Sequence, residues 1–238
     1  MSADGSHSDD LVGSVIQERY RVISRIGQGG MGVVYEVEHV LIGRRFALKT
    51  LDPMLSRNPE VLARFHREAK AAAAIGNEHI IEVSDMGRLP GGSPYIVLEL
   101  LDGRNLRDEI EASGPLPISR AVEIATQCCQ ALGSAHQKGI VHRDVTPDNI
   151  FLIRKGDRSD FVKILDFGIS KFREAAIGLE GGSMTKTGAA IGTPYYMSPE
   201  QASGSKDIDE RTSDSSTRLV SFRAEAQRQG FGLHANDV

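Results

Sequence analysis

The chain has 238 residues, 40% of them hydrophobic, which is enough to bury the core of one large domain or of two lobes sharing a cleft. A net charge of −4, with 28 basic residues spread along the chain instead of gathered in a stripe, argues against a nucleic-acid partner. No run reaches the roughly eighteen apolar residues of a membrane span, and residues 1–10 are acidic and polar where a signal peptide is basic and then apolar, so a cytoplasmic chain without a membrane segment is expected.

In chain order, residues 1–19 read as a disordered tail, Ser-, Asp- and Gly-rich over the first ten positions. Residues 20–26, 32–40 and 44–51 are rich in β-branched and aromatic side chains and predict consecutive antiparallel strands. Pro59 at a first-turn position, then Val61, Leu62, Phe65, Ala69 and Ala72, predicts an amphipathic helix over 59–75. Strands at 80–86 and 95–100 follow, linked by the turn Pro90-Gly91-Gly92-Ser93. Beyond Gly103, Ile118, Val122, Ala125, Cys129 and Leu132 form one apolar face of a long helix that Gly139 ends. Cys128 and Cys129, the only cysteines, point in different directions on it and are expected as core or half-buried thiols, not as a disulfide or metal pair. Apolar runs at 150–153 and 161–165 predict a hairpin across the polar loop 154–160. No repeat of 20 to 50 residues is visible.

Three segments carry candidate chemistry. Gly27-Gln28-Gly29-Gly30-Met31-Gly32-Val33-Val34 contains GxGxxGxV, a backbone that can approach phosphates closely. A dinucleotide fold needs a helix after the last glycine, whereas Val33–Val37 alternates like a strand; a nucleotide lid or an ordinary hairpin turn both remain. In Phe46-Ala47-Leu48-Lys49 the strand period puts Ala47 and Lys49 on one face, so a small residue and a cation share a surface. Glu68, on the predicted helix, is a candidate partner for Lys49, although Arg64 and Arg67 beside it also suit a solvated helix face. The third segment is Val141-His142-Arg143-Asp144-Val145-Thr146-Pro147-Asp148-Asn149, followed by Asp166-Phe167-Gly168.

HRDxxxxN, DFG and then Ser198-Pro199-Glu200 in the place of APE, in that order after a glycine loop and AxK, resembles the protein kinase family, and most of all the bacterial serine/threonine kinases of eukaryotic type. The resemblance covers residues 20–202. It implies an α+β bilobal protein-kinase-like fold: an antiparallel β-sheet N-lobe plus one helix over about 20–101, and a mainly α-helical, incomplete C-lobe over about 102–202. It also implies ATP-dependent phosphorylation of serine and threonine on protein substrates. Asp144 would orient the acceptor hydroxyl, Asn149 and Asp166 would hold Mg²⁺ or Mn²⁺ with the ATP, and Lys49, fixed by Glu68, would hold the α- and β-phosphates. Gly27, Gly29 and Gly32 would cover the nucleotide, Val34 and Ala47 would lie above the adenine and Phe151 below it, the backbone of Glu99 to Leu101 would bond its edge, and Leu98 would be the gatekeeper. Gly192-Thr193-Pro194-Tyr195 resembles the substrate-docking loop of serine/threonine kinases, with Thr193 bonding the catalytic aspartate. Thr185 and Thr187, near Ser183, resemble autophosphorylated positions, where phosphate would meet Arg143. A kinase homodimer is a further implied partner.

Two departures stand out. Thr146 takes the place of the family's usual lysine, replacing a cation toward the γ-phosphate with a hydroxyl. Residues 203–238, rich in Ser, Arg, Gln and Asp, show no sustained apolar stripe where the family continues with a buried helix. A truncated catalytic domain with a poorly ordered tail, arising from a frame slip near Thr212, is the expectation; such a fragment would at most bind nucleotide or a partner.

Overall fold

The computed structural model describes residues 11–167. These group into two compact units, one holding residues 11–63 and Val83–Leu101, the other Arg64–Glu82 and residues 102–167.

The first unit is an antiparallel sheet. Its strands are β1 (Val15–Ile16), β2 (Tyr20–Gly29), β3 (Gly32–His39), β4 (Arg45–Thr50), β5 (Val83–Arg88) and β6 (Pro94–Glu99), in the spatial order β1-β2-β3-β4-β6-β5. Alternation decides which face is dry: Tyr20, Val22, Tyr35, Val37, Phe46, Leu48, Tyr95 and Val97 pack with Ile16 into one cluster. Polar tips within it are satisfied, since the Tyr20 hydroxyl donates to Asp85 at 2.9 Å and that of Tyr95 to Gln17 at 2.7 Å. A four-residue helix, α1 (Pro53–Ser56), follows β4, capped by the Asp52 carboxylate on the Met54 and Leu55 amides.

Helix α2 (Pro59–Ile75) has the predicted limits, with Val61, Phe65, Ala69, Ala72 and Ile75 buried. Asn58 accepts from the Glu60 and Val61 amides at its start, and Gly76, at φ 64°, follows its end. Most of α2 groups with the second unit, not with the sheet. The segment after it explains why: the Ile81 amide donates to the Ile164 carbonyl and the Ile164 amide to the His79 carbonyl, while Asn77 donates to Ser134.

The second unit continues with β7 (Gly103–Asn105), α3 (Leu106–Ser113), α4 (Ile118–His136), a 3₁₀ turn (Pro147–Asn149), β8 (Ile150–Lys155) and β9 (Arg158–Ile164). The order β7-β8-β9 makes a three-stranded sheet, with Gly156 at φ 59° in the hairpin between β8 and β9. Gln127 ties α4 to β9, donating to the Asp160 carbonyl and accepting from the Val162 amide. Arg120 forks onto the Asp160 carboxylate at 2.7 and 2.9 Å and also meets Glu109 at 2.7 Å.

Three expectations are corrected. Residues 15–16, within the tail expected to be disordered over 1–19, instead pair with Arg21 and Tyr20 and extend the sheet. The dry face of α4 is Ile124, Gln127, Cys128, Ala131, Leu132 and Ala135, so the predicted stripe is rotated: Ile118 and Val122 are 49% and 58% exposed. Cys128 is buried, its thiol pushed up to about 12 by that burial, whereas Cys129 is exposed. The sequence is apolar on more than one side of this helix, and periodicity alone could not choose the side. The strand expected at 80–86 starts instead at Val83, with Ile80 joining Ile164 through a parallel bridge in the other unit. Among the described residues no helix is long and apolar enough to cross a membrane.

Candidate active site

The first unit carries the glycine loop and the lysine strand. β2 and β3 form a hairpin closed at Gly29 opposite Gly32, with Gly27 opposite Val34. The three motif glycines are there for different reasons. A Cβ on Gly32 would lie 1.9 Å from the Thr50 carbonyl oxygen, so internal packing requires glycine there. A Cβ on Gly29 or Gly30 meets nothing within 4 Å, so nothing in the fold demands a bare backbone at the tip, and at Gly27 the contact with Val34 is an ordinary 3.8 Å. Lys49 lies opposite Val34 and Ala47 opposite Glu36 across the β3–β4 ladder. Phe46 and Leu48 point into the core cluster while Lys49 stays half-buried, as the strand period predicts. Glu99, opposite Phe46, ends β6, and Leu98 lies opposite Ala47; Leu101 closes the unit, half-buried.

The second unit carries the acid loop. Asn149 holds Asp144: its Nδ2 donates to the Asp144 carboxylate at 3.0 Å and to the Asp144 carbonyl at 2.9 Å. With Nδ2 engaged on Asp144, the amide oxygen of Asn149 is the atom that can serve a cation. The Leu165 amide donates to the Asn149 carbonyl at 2.9 Å, tying this turn to the segment that bears Asp166. Arg143 and Asp166 both have left-handed backbone, φ 66° and 49°, which only a surrounding network can hold.

His142 is central to that network. It is fully buried, its Nδ1 accepts from the Asp144 amide at 3.2 Å and its Nε2 lies 2.8 Å from the Leu165 carbonyl. An amide only donates and a carbonyl only accepts, so the ring is neutral with its proton on Nε2. Burial holds its pKa below the ordinary value, against the pull of the Leu165 carbonyl and of Asp144 and Asp166. Its ring meets Phe167 at 4.6 Å between centroids. One imidazole thus links the backbone at Asp144 to the residues flanking Asp166.

Thr146, singled out in the sequence, is buried, and its carbonyl accepts from the Asn149 amide. Phe151 lies on β8 between Asn105 and Lys163, half-buried. Glu68 is half-buried on α2, in the unit that holds Asp144. Gly168, Thr185, Thr187, Thr193, Glu200 and the tail 203–238 lie outside the described residues. Sequence reasoning named His142 only as a letter of a motif, and it missed Arg107, which no motif contains and whose guanidinium forks onto Asp148 at 2.6 and 2.7 Å.

Comparisons with known proteins identify the family. The protein kinase domain family matches residues 20–215, running past Ala202. Serine/threonine-protein kinase Pkn1 of Myxococcus xanthus is 42% identical over 223 residues, covering 94% of this chain and 31% of the relative. Serine/threonine-protein kinase PknB of Mycobacterium tuberculosis is 42% identical over 202 residues, covering 84% and 31%. The chain therefore spans about a third of the length of these curated relatives. The crystal structure of the Mycobacterium tuberculosis PknI kinase domain matches with a TM-score of 0.68 at 30% identity, covering 90% of this chain and 77% of that one. With the ordered motifs, the sheet unit bearing the glycine loop and the acid loop of the other unit, the chain belongs to the protein kinase domain family and stands with the bacterial serine/threonine kinases of eukaryotic type.

Proposed function

We propose that this chain transfers the γ-phosphate of ATP to serine or threonine hydroxyls of proteins, its own Thr185 and Thr187 among them, in the cytoplasm. The observation that carries the reading is the Asp144 carboxylate fixed by the Asn149 amide, in a loop that His142 locks to the backbone beside Asp166. Phosphoryl transfer needs alignment and charge neutralisation more than covalent help; this loop serves the first, and Lys49 with a bound cation would serve the second. Asp144 orients the acceptor hydroxyl and takes its proton. Asn149 through its amide oxygen and Asp166 through its carboxylate suit a hard cation such as Mg²⁺ or Mn²⁺, which supplies neutralisation of phosphate charge when bound. Lys49 binds phosphate oxygens and is oriented by Glu68. The bare glycines at the β2–β3 tip, unexplained by internal packing, fit close approach of a triphosphate.

Incorporation of label from γ-labelled ATP with Mg²⁺, beside an Asp144→Asn control and followed by phosphoamino-acid analysis, tests the proposal. Labelled serine or threonine that disappears in the control supports it; equal labelling in both proteins sinks it. Thr146 favours a second reading, a nucleotide-binding module with slow turnover, because a hydroxyl stands where a cation would meet the γ-phosphate. By analogy with one missing donor to a developing oxyanion, the deficit is about 3 kcal/mol, or roughly a hundredfold in rate. Thr146→Lys should restore much of that rate, and equal turnover in the two proteins removes this concern.

A further inference from the structure

Asp148 sits between Pro147 and Asn149 in the 3₁₀ turn, and its carboxylate takes both arms of the Arg107 guanidinium, Nε to Oδ1 at 2.6 Å and Nη2 to Oδ2 at 2.7 Å. We propose that Arg107 is a positioning residue for Asn149: its fork on Asp148 sets the angle at which the turn presents the Asn149 amide to Asp144 and to the cation. The inference rests on the kinase reading and deepens it.

The anchoring of Arg107 supports this. It lies in the first turn of α3, whose start is fixed by Asn105, which accepts from the Asp108 amide at 2.7 Å and donates to the Asp108 carboxylate at 2.9 Å. Asn105 also ends β7, where it lies opposite Phe151, two residues beyond Asn149. Two residues earlier, a Cβ on Gly103 would come within 2.0 Å of the Leu152 carbonyl oxygen, so β7 lies hard against β8. Arg107 is therefore attached, through α3 and β7, to the strand that follows the turn, while its guanidinium holds the turn itself. The loop closes on Asn149 from both sides: Asp148 is clamped before it, and β8 is paired after it.

A planar fork on a carboxylate fixes orientation as well as distance, which a lysine ammonium cannot do. Both partners keep partial solvent access, at 36% and 46% side-chain exposure, so screening keeps the pair's contribution to global stability modest. Its effect should therefore appear at the neighbouring amide and not in the melting temperature. Residues that orient a metal ligand from behind change metal affinity by about ten- to a hundredfold, and Arg107 acts one residue further back, so about three- to tenfold is expected.

The test is the affinity of the whole chain for Mn²⁺, read by paramagnetic resonance in the presence of the β,γ-imido analogue of ATP. Arg107→Ala and Arg107→Lys should each weaken Mn²⁺ binding about three- to tenfold with the melting temperature nearly unchanged. The reversed pair, Arg107→Asp with Asp148→Arg, should recover most of the affinity. Unchanged affinity in Arg107→Ala overturns the proposal, as does a loss that follows a falling melting temperature and is not recovered by the reversed pair. Failure of the unaltered chain to bind Mn²⁺ with the analogue instead overturns the kinase reading on which the proposal stands.

Discussion

The two units hold their candidate residues by different means. In the sheet unit, Val34, Ala47 and Lys49 occupy consecutive same-face positions of a regular β3–β4 ladder, and any sequence that keeps the ladder keeps them in place. In the other unit, Asp144, Asn149 and Asp166 lie in irregular backbone, two residues of which are left-handed, and side-chain hydrogen bonds from His142 and Asn149 do what a ladder does elsewhere. A ladder is redundant and a network is not. Single substitutions should therefore be costlier around the acid loop than around the lysine strand.

The strongest attempt to break that contrast is His142→Ala. It removes two hydrogen bonds and the contact with Phe167 from a fully buried site, and about 4 kcal/mol of stability should be lost in urea unfolding. A loss under about 1 kcal/mol would show that the loop holds itself. The same side chain sets a pH dependence. Because the folded pKa lies below the ordinary 6.5, the unfolded chain binds the proton more readily. The contribution is present above 6.5 and is lost as pH falls through the depressed folded value. Comparing unfolding free energies at neutral and mildly acidic pH with those of His142→Asn, which cannot titrate, isolates the effect; identical slopes would assign it elsewhere.

Gly32→Ala sharpens the comparison from the sheet side. The new methyl must displace the Thr50 carbonyl, so a cost of about 2 kcal/mol is expected, while Gly29→Ala should cost less than about 1 kcal/mol and act instead on ATP affinity. If both glycines cost the same in thermal unfolding, the distinction between a packing glycine and an approach glycine fails. The smallest effect is a gain. Gln17 and Glu18, between β1 and β2, both have left-handed backbone, φ 47° and 56°. Gln17 is committed to Tyr95 and the Arg88 carbonyl, so Glu18→Gly is the substitution that relieves strain, by up to about 1 kcal/mol in the same assay.

What the sequence disclosed follows the same division. Strands β2, β3, β4 and β6, helix α2 and the β8–β9 hairpin were legible because alternation, helical spacing and turn residues are local signals. The facing of Lys49 followed from the strand period alone. β1 was hidden because two residues are too few to show alternation, and α3 because its stability comes from the Asn105 cap and a single buried Leu106, too short a pattern to stand out. The acid loop was legible only as a familiar string of letters. Nothing in that string reveals that His142 is neutral with its proton on Nε2, or that Arg107, 41 positions before Asp148 in the chain, reaches its carboxylate, because both depend on how distant segments meet.

The backbone bridge joining residues 79–81 to 162–164 also bears on how the molecule is made. His79 and Val162, which it brings together, are 83 positions apart in the chain. At about 5–20 residues per second of synthesis, roughly 4–17 seconds pass before the later strand exists to receive the earlier segment. Through that interval residues 79–81 have been translated and the strand that bonds to them has not, so on the ribosome the sheet unit has a lead that a refolding experiment with the finished chain would erase.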